Sequence, residues 1–187
     1  MRNKKVKRLV LAGVFLALGY ALPFLTGQIK EIGNSLLPMH LPVMLCGIVC
    51  GWQYGFGVGL VLPITRSLMF GMPPMYPTAI CMAPELATYG LVIGILYSLF
   101  KKKSVLGLYV SLVSSMACGR MVWGLARVIC AGLGKSPFSF EIFITAGFLD
   151  AIPGIILQLI LIPLIISVKD RILVDEKSKI SIRQGRS

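Results

Sequence analysis

Charge is scarce in this chain: charged residues make up 14% of it, where soluble domains carry roughly 25%. That alone argues against a soluble globular fold. Only seven residues are acidic and one is histidine. A lone histidine is a poor basis for an intramembrane metallohydrolase, which draws on several His as ligands or on a His as general base. No Gly-x-x-x-x-Gly-Lys-Ser/Thr run occurs, so no phosphate-cradling loop is expected. No internal repeat is visible, which argues against the secondary transporters built from repeated halves. The basic N-terminus leads into an apolar stretch, but no small-x-small cleavage site closes it, so the stretch reads as a retained first helix. The five cysteines, 46, 50, 81, 118 and 130, all lie in apolar segments. Cys46 and Cys50 share a helix face, yet no His or carboxylate joins them at metal spacing. They read as small apolar residues, and neither a metal nor a cofactor is expected.

What is present is hydrophobic: 56% of the 187 residues are apolar and the mean hydropathy is +0.84. A spanning helix needs about 20 apolar residues, and six candidates emerge, at about 9–26, 39–51, 54–71, 77–100, 104–133 and 140–168. The second is short and proline-flanked. Pro84, Pro153 and Pro163 are expected to kink the later ones. The net charge of +12 is gathered at the N-terminus, at Lys101–Lys103 and in the tail from Lys169. That is a topology signal and no nucleic-acid footprint. With the N-terminus inside, the inner segments hold fourteen Lys and Arg, against Lys30 and Lys135 outside. The expected fold is therefore all-α: an integral membrane six-helix bundle over residues 1–170 with both termini cytoplasmic. Residues 171–187 are expected to be a polar, loosely ordered cytoplasmic tail that touches anionic lipid.

Five charges interrupt the apolar stretches: Arg66, Glu85, Arg120, Arg127 and Asp150. A charge at the bilayer centre costs about 3 kcal/mol or more, so such residues face a bundle interior, a cavity or a partner. Counting about 1.5 Å per residue along the helices places Arg66, Glu85, Arg127 and Asp150 in the outer half and Arg120 near mid-depth. The structural reading is a set of internal ion pairs that fix helix packing. The functional reading is a polar, outward-facing ligand cavity, and the convergence of four residues favours it. Three Arg against two carboxylates leave one positive charge for a ligand carboxylate or phosphate.

Further candidates line the outer side. His40 lies in the stiff segment Pro38-Met39-His40-Leu41-Pro42, either capping a chain bend or meeting a ligand. Asn34 lies in the first outer loop. Tyr76 belongs to Gly71-Met72-Pro73-Pro74-Met75-Tyr76-Pro77, a stiff connector suited to a lid. Trp123 is either packing or a stacking surface. Asn34, His40, Arg66, Tyr76, Glu85, Trp123, Arg127 and Asp150 thus form the expected substrate-binding set, with no catalytic residue among them. Gly13, Ala17 and Ala21 form a small-residue stripe on helix 1 that lets another helix approach, and Gly90 and Gly94 form a second pair.

The basic N-terminus, the Gly13/Ala17/Ala21 stripe, Leu37-Pro38-Met39-His40-Leu41-Pro42-Val43, the run from Gly59 to Gly71 and Ala83-Pro84-Glu85-Leu86-Ala87 resemble a known plan. It is that of the substrate-binding S components of energy-coupling factor (ECF) vitamin transporters, and the resemblance covers residues 5–170. Gly13 departs from the usual Ala-x-x-x-Ala form. The resemblance implies six helices, both termini inside, and a vitamin or precursor held in a pocket of helices 4 to 6 and the outer loops. It implies docking by Gly13, Ala17 and Ala21 onto a transmembrane coupling subunit driven by two ATPase subunits, in a prokaryotic plasma membrane. The protein would bind and carry, with no chemistry and no cofactor of its own. The spare Arg favours an anionic, partly polar guest, and pantothenate ranks first. The competing functions are an intramembrane enzyme using Glu85, His40 and Asp150, and a stand-alone transporter.

Overall fold

The computed structural model describes residues 2–25, 37–100, 104–134 and 139–184. Among them every element is helical: α1 (Arg2–Leu25), α2 (His40–Cys50), α3 (Trp52–Phe70), α4 (Ile80–Leu99), α5 (Val105–Gly134), α6 (Phe140–Ile144) and α7 (Ile152–Gln184). Wide π-type turns at Met75–Ala79 and Thr145–Leu149 lead into α4 and out of α6. Four segments are long and apolar enough to cross a membrane: Asn3–Phe24, Met75–Leu99, Val105–Gly132 and Ile152–Lys169. The chain is a multi-pass membrane protein.

One expectation changes. The single helix expected over 140–168 is divided, because the chain leaves the helical path before Asp150 and re-enters it at Ile152. Pro153 then falls in the first turn of α7, where a missing N–H breaks no helix bond. The helix α7 runs on as far as Gln184.

Packing rests on glycine. Gly51, with φ 105°, lets α2 and α3 fold back on one another in a conformation other residues rarely adopt. A Cβ on Gly90 would lie 2.3 Å from the Gly55 carbonyl oxygen, and one on Gly59 would lie 2.4 Å from that of Leu86. A Cβ on Gly47 would lie 2.5 Å from the Gly90 oxygen. The backbones of α2, α3 and α4 therefore touch directly, the close approach that small residues allow between membrane helices.

These contacts also set the helix directions. His40 meets Glu85 and Gly47 meets Gly90, so α2 and α4 run parallel. Gly59 meets Leu86 and Trp52 meets Gly94, so α3 runs against α4. Arg120 meets Glu85 and Cys130 meets Cys81, so α5 also runs against α4. α1 runs alongside α3, since Gly19 abuts Leu62 and Phe24 abuts Phe70. α2 packs against α1 and touches α7, which also packs on α5.

Candidate functional site

The site is built around one carboxylate. Glu85 lies in the second turn of α4 and is 1% exposed. Tyr89, one turn on, donates its hydroxyl to Glu85 Oε1 at 3.2 Å. The Tyr89 ring lies against Gly119, where a Cβ would come within 2.7 Å of it. That missing side chain lets α4 and α5 close, and the next residue, Arg120, places Nη1 3.0 Å from the same Glu85 oxygen. His40, the first residue of α2, places Nε2 3.4 Å from it and meets Tyr89 edge-on with ring centroids 5.1 Å apart. Three groups from three helices thus converge on Glu85 Oε1, all of them buried.

Among the described residues, two polar atoms of this cluster have no hydrogen-bond partner: Arg120 Nη2 and His40 Nδ1. A carboxylate only accepts, so the hydrogen-bond network assigns the proton facing Glu85 to His40 Nε2. In the neutral ring Nδ1 is then an acceptor, while Arg120 Nη2 is a donor. Buried polar atoms are as a rule satisfied, so an unmet donor and an unmet acceptor beside a paired charge make this cluster the candidate site.

Arg120 extends the cluster. Its guanidinium carbon lies 6.0 Å from the Trp123 ring centroid and that of Arg127 lies 5.6 Å from it. Cation–π contact of this kind needs the ring face within about 6 Å. Phe143 stacks on Trp123, with centroids 6.1 Å apart and planes inclined by 25°. Gly124 makes room for the Phe143 ring, and Gly147 for the Trp123 ring.

The expected residues are distributed unevenly over this geometry. His40 and Glu85 are together, and Trp123 and Arg127 adjoin them through Arg120. Arg66, 2% exposed, is engaged elsewhere: its Nη1 donates to the Tyr20 carbonyl at 2.6 Å, and its guanidinium lies 5.1 Å from the Phe24 centroid and 5.3 Å from that of Phe70. Beside it Tyr20 and Thr65 share a 2.6 Å hydrogen bond, so this corner ties α1 to α3. Tyr76 donates its hydroxyl to the Cys130 carbonyl. Asp150 is exposed at the end of the turn Thr145–Leu149. Asn34 lies outside the described residues. Arg120 and Tyr89, absent from the expected set, both touch Glu85. Tyr89 carried a signal, standing four residues after Glu85 on one helix face.

On α1, Gly13, Ala17 and Ala21 are all exposed, and a Cβ on Gly13 would meet nothing within 4 Å. The stripe is covered by no other described part of the chain. No curated protein and no solved structure matches the chain. The family model described as the ECF transporter, substrate-specific component, matches residues 7–166. With that match and an all-helical membrane fold, the chain belongs to the substrate-specific components of ECF transporters, which are transport subunits and not enzymes.

Proposed function

We propose that this protein is the high-affinity binding subunit of an ECF-type importer. It captures a water-soluble vitamin or precursor outside the cell and delivers it inward, with pantothenate the first candidate. The observation that carries the ligand reading is the pair of unmet atoms beside Glu85. Arg120 Nη2 suits a ligand carboxylate, and His40 Nδ1 suits a hydroxyl or amide N–H. Pantothenate offers all three groups. Trp123, with Arg120 and Arg127 over its ring, supplies the adjoining face. Glu85 and Tyr89 hold Arg120 in position.

The alternation of helix directions supports six crossings, with α2 and α3 as the shorter pair and α6 with α7 forming the last. The basic clusters support cytoplasmic termini in a prokaryotic plasma membrane. Uptake then requires a transmembrane coupling subunit and two ATPase subunits. The open stripe Gly13, Ala17 and Ala21 is the docking face for the coupling subunit.

Calorimetric titration of the purified protein with pantothenate tests the ligand. Submicromolar binding that is weakened in Arg120→Gln supports the reading. Mass spectrometry of the co-purified small molecule identifies a different vitamin if pantothenate is the wrong guest. Uptake by this chain alone, in cells without the coupling subunit and ATPases, would instead make it a stand-alone transporter.

A further inference from the structure

Cys81 and Cys130 form a thiol pair that the binding function does not use. Cys81, at the second position of α4, is fully buried, and Cys130, on α5, is 7% exposed. Their sulfurs are 3.3 Å apart, across 49 residues of sequence, and both thiols are free. A disulfide bond is about 2.05 Å long, so roughly 1.3 Å of approach separates this contact from a covalent link. The two sulfurs come from different helices, so a bond between them would link α4 to α5 covalently. Cys46 and Cys50 differ, since both lie on α2.

The surroundings make the pair consequential. Trp123 and the half-buried Phe143 pack around the two cysteines in one apolar cluster. The Cys130 carbonyl accepts the Tyr76 hydroxyl. A bond between the sulfurs would therefore fasten α4, α5 and the turn Met75–Ala79 at one seam beside Trp123.

We infer that Cys81 and Cys130 are a reversible oxidation site, forming a disulfide that locks the α4–α5 seam. Buried thiols resist bulky or charged reagents, so the oxidant is a small neutral two-electron acceptor. With a neutral azo oxidant, one thiol adds its S–H across the N=N bond. The second thiol then attacks that sulfur, the S–S bond forms and the S–N bond breaks. The hydrazine leaves with both hydrogens, and an added dithiol reverses the link by exchange.

The test treats the purified full-length protein with diamide, unfolds it in detergent and alkylates it with N-ethylmaleimide. Peptide mass spectrometry then reads the five cysteines. The expected result is a Cys81–Cys130 cross-linked peptide, lighter than its two parts by two hydrogens, with Cys46, Cys50 and Cys118 still alkylated. Dithiothreitol should return all five thiols. Cys81→Ala and, separately, Cys130→Ser should abolish the cross-link and leave the other thiols unchanged. Full alkylation of Cys81 and Cys130 after oxidation, or a link confined to Cys46 and Cys50, would overturn the inference. Neither outcome depends on which ligand the protein binds.

Discussion

The charge pair at the centre of the site makes the sharpest prediction. Arg120 Nη1 and Glu85 Oε1 are 3.0 Å apart, with side chains 6% and 1% exposed. At an effective dielectric constant near 20, Coulomb attraction across that distance is about 5.5 kcal/mol before desolvation is counted. Glu85→Gln keeps the side-chain volume and an acceptor for Tyr89 but strands a buried guanidinium. Breaking a buried pair from one side costs about 3–5 kcal/mol. Arg120→Met strands the carboxylate instead, with a loss of the same order. The double variant leaves neither charge behind and should lose much less than the two single losses together. The assay is reversible unfolding in mixed micelles of increasing SDS fraction, with the four proteins arranged as a double-mutant cycle. A coupling above about 1.5 kcal/mol is expected, since residues in one hydrogen-bonded network couple by about 0.5–3 kcal/mol. Losses that add to within about 0.5 kcal/mol would mean the pair is not formed as described.

The other predictions concern packing and docking. Gly90→Ala forces a Cβ against the Gly55 carbonyl oxygen at 2.3 Å; it should destabilise by about 1–3 kcal/mol or more, read by the same SDS titration. Gly13→Trp and Ala17→Trp should leave ligand affinity intact, because both positions are exposed, while abolishing uptake in cells that hold the full transporter; loss of binding as well would make α1 part of the binding body. Arg66→Gln removes a charged donor from the Tyr20 carbonyl, with an expected stability loss of about 1.5–3 kcal/mol. Thermal melts should show this loss whether or not ligand is present.

The helices were largely legible from the sequence because apolar run length reports span position directly. The site was legible only in part. Depth counting grouped Glu85 with Arg127 and set Arg120 apart, whereas Arg120 is the arginine that meets Glu85. The two arginines are seven residues apart, about two turns, on nearly the same face of α5. Which turn meets Glu85 is decided by Gly119, whose missing side chain admits the Tyr89 ring. Nothing in residue spacing predicts that contact. Arg66 was grouped with Glu85 and Asp150 by depth, counted along its helix. In the fold it is held by a backbone carbonyl and two phenyl faces, partners that a count of charges does not register.

Glycine makes the same point about surfaces. Gly90-x-x-x-Gly94 on α4 and Gly13-x-x-x-Ala17 on α1 have the same spacing, and spacing alone gives both the same meaning. The fold separates them. Gly90 is filled from within the chain, by Gly55 of α3. Gly13 faces open space, with Ala17 and Ala21 exposed on the same side. A small-residue stripe is useful only where a backbone approaches it closely. On α4 that backbone is already supplied, so the glycines there serve folding. On α1 no described part of the chain supplies it, and the proposed docking face is placed there for that reason. The tryptophan test therefore belongs at Gly13 and Ala17, where added bulk would block the proposed partner while the residues around Glu85 stay unchanged.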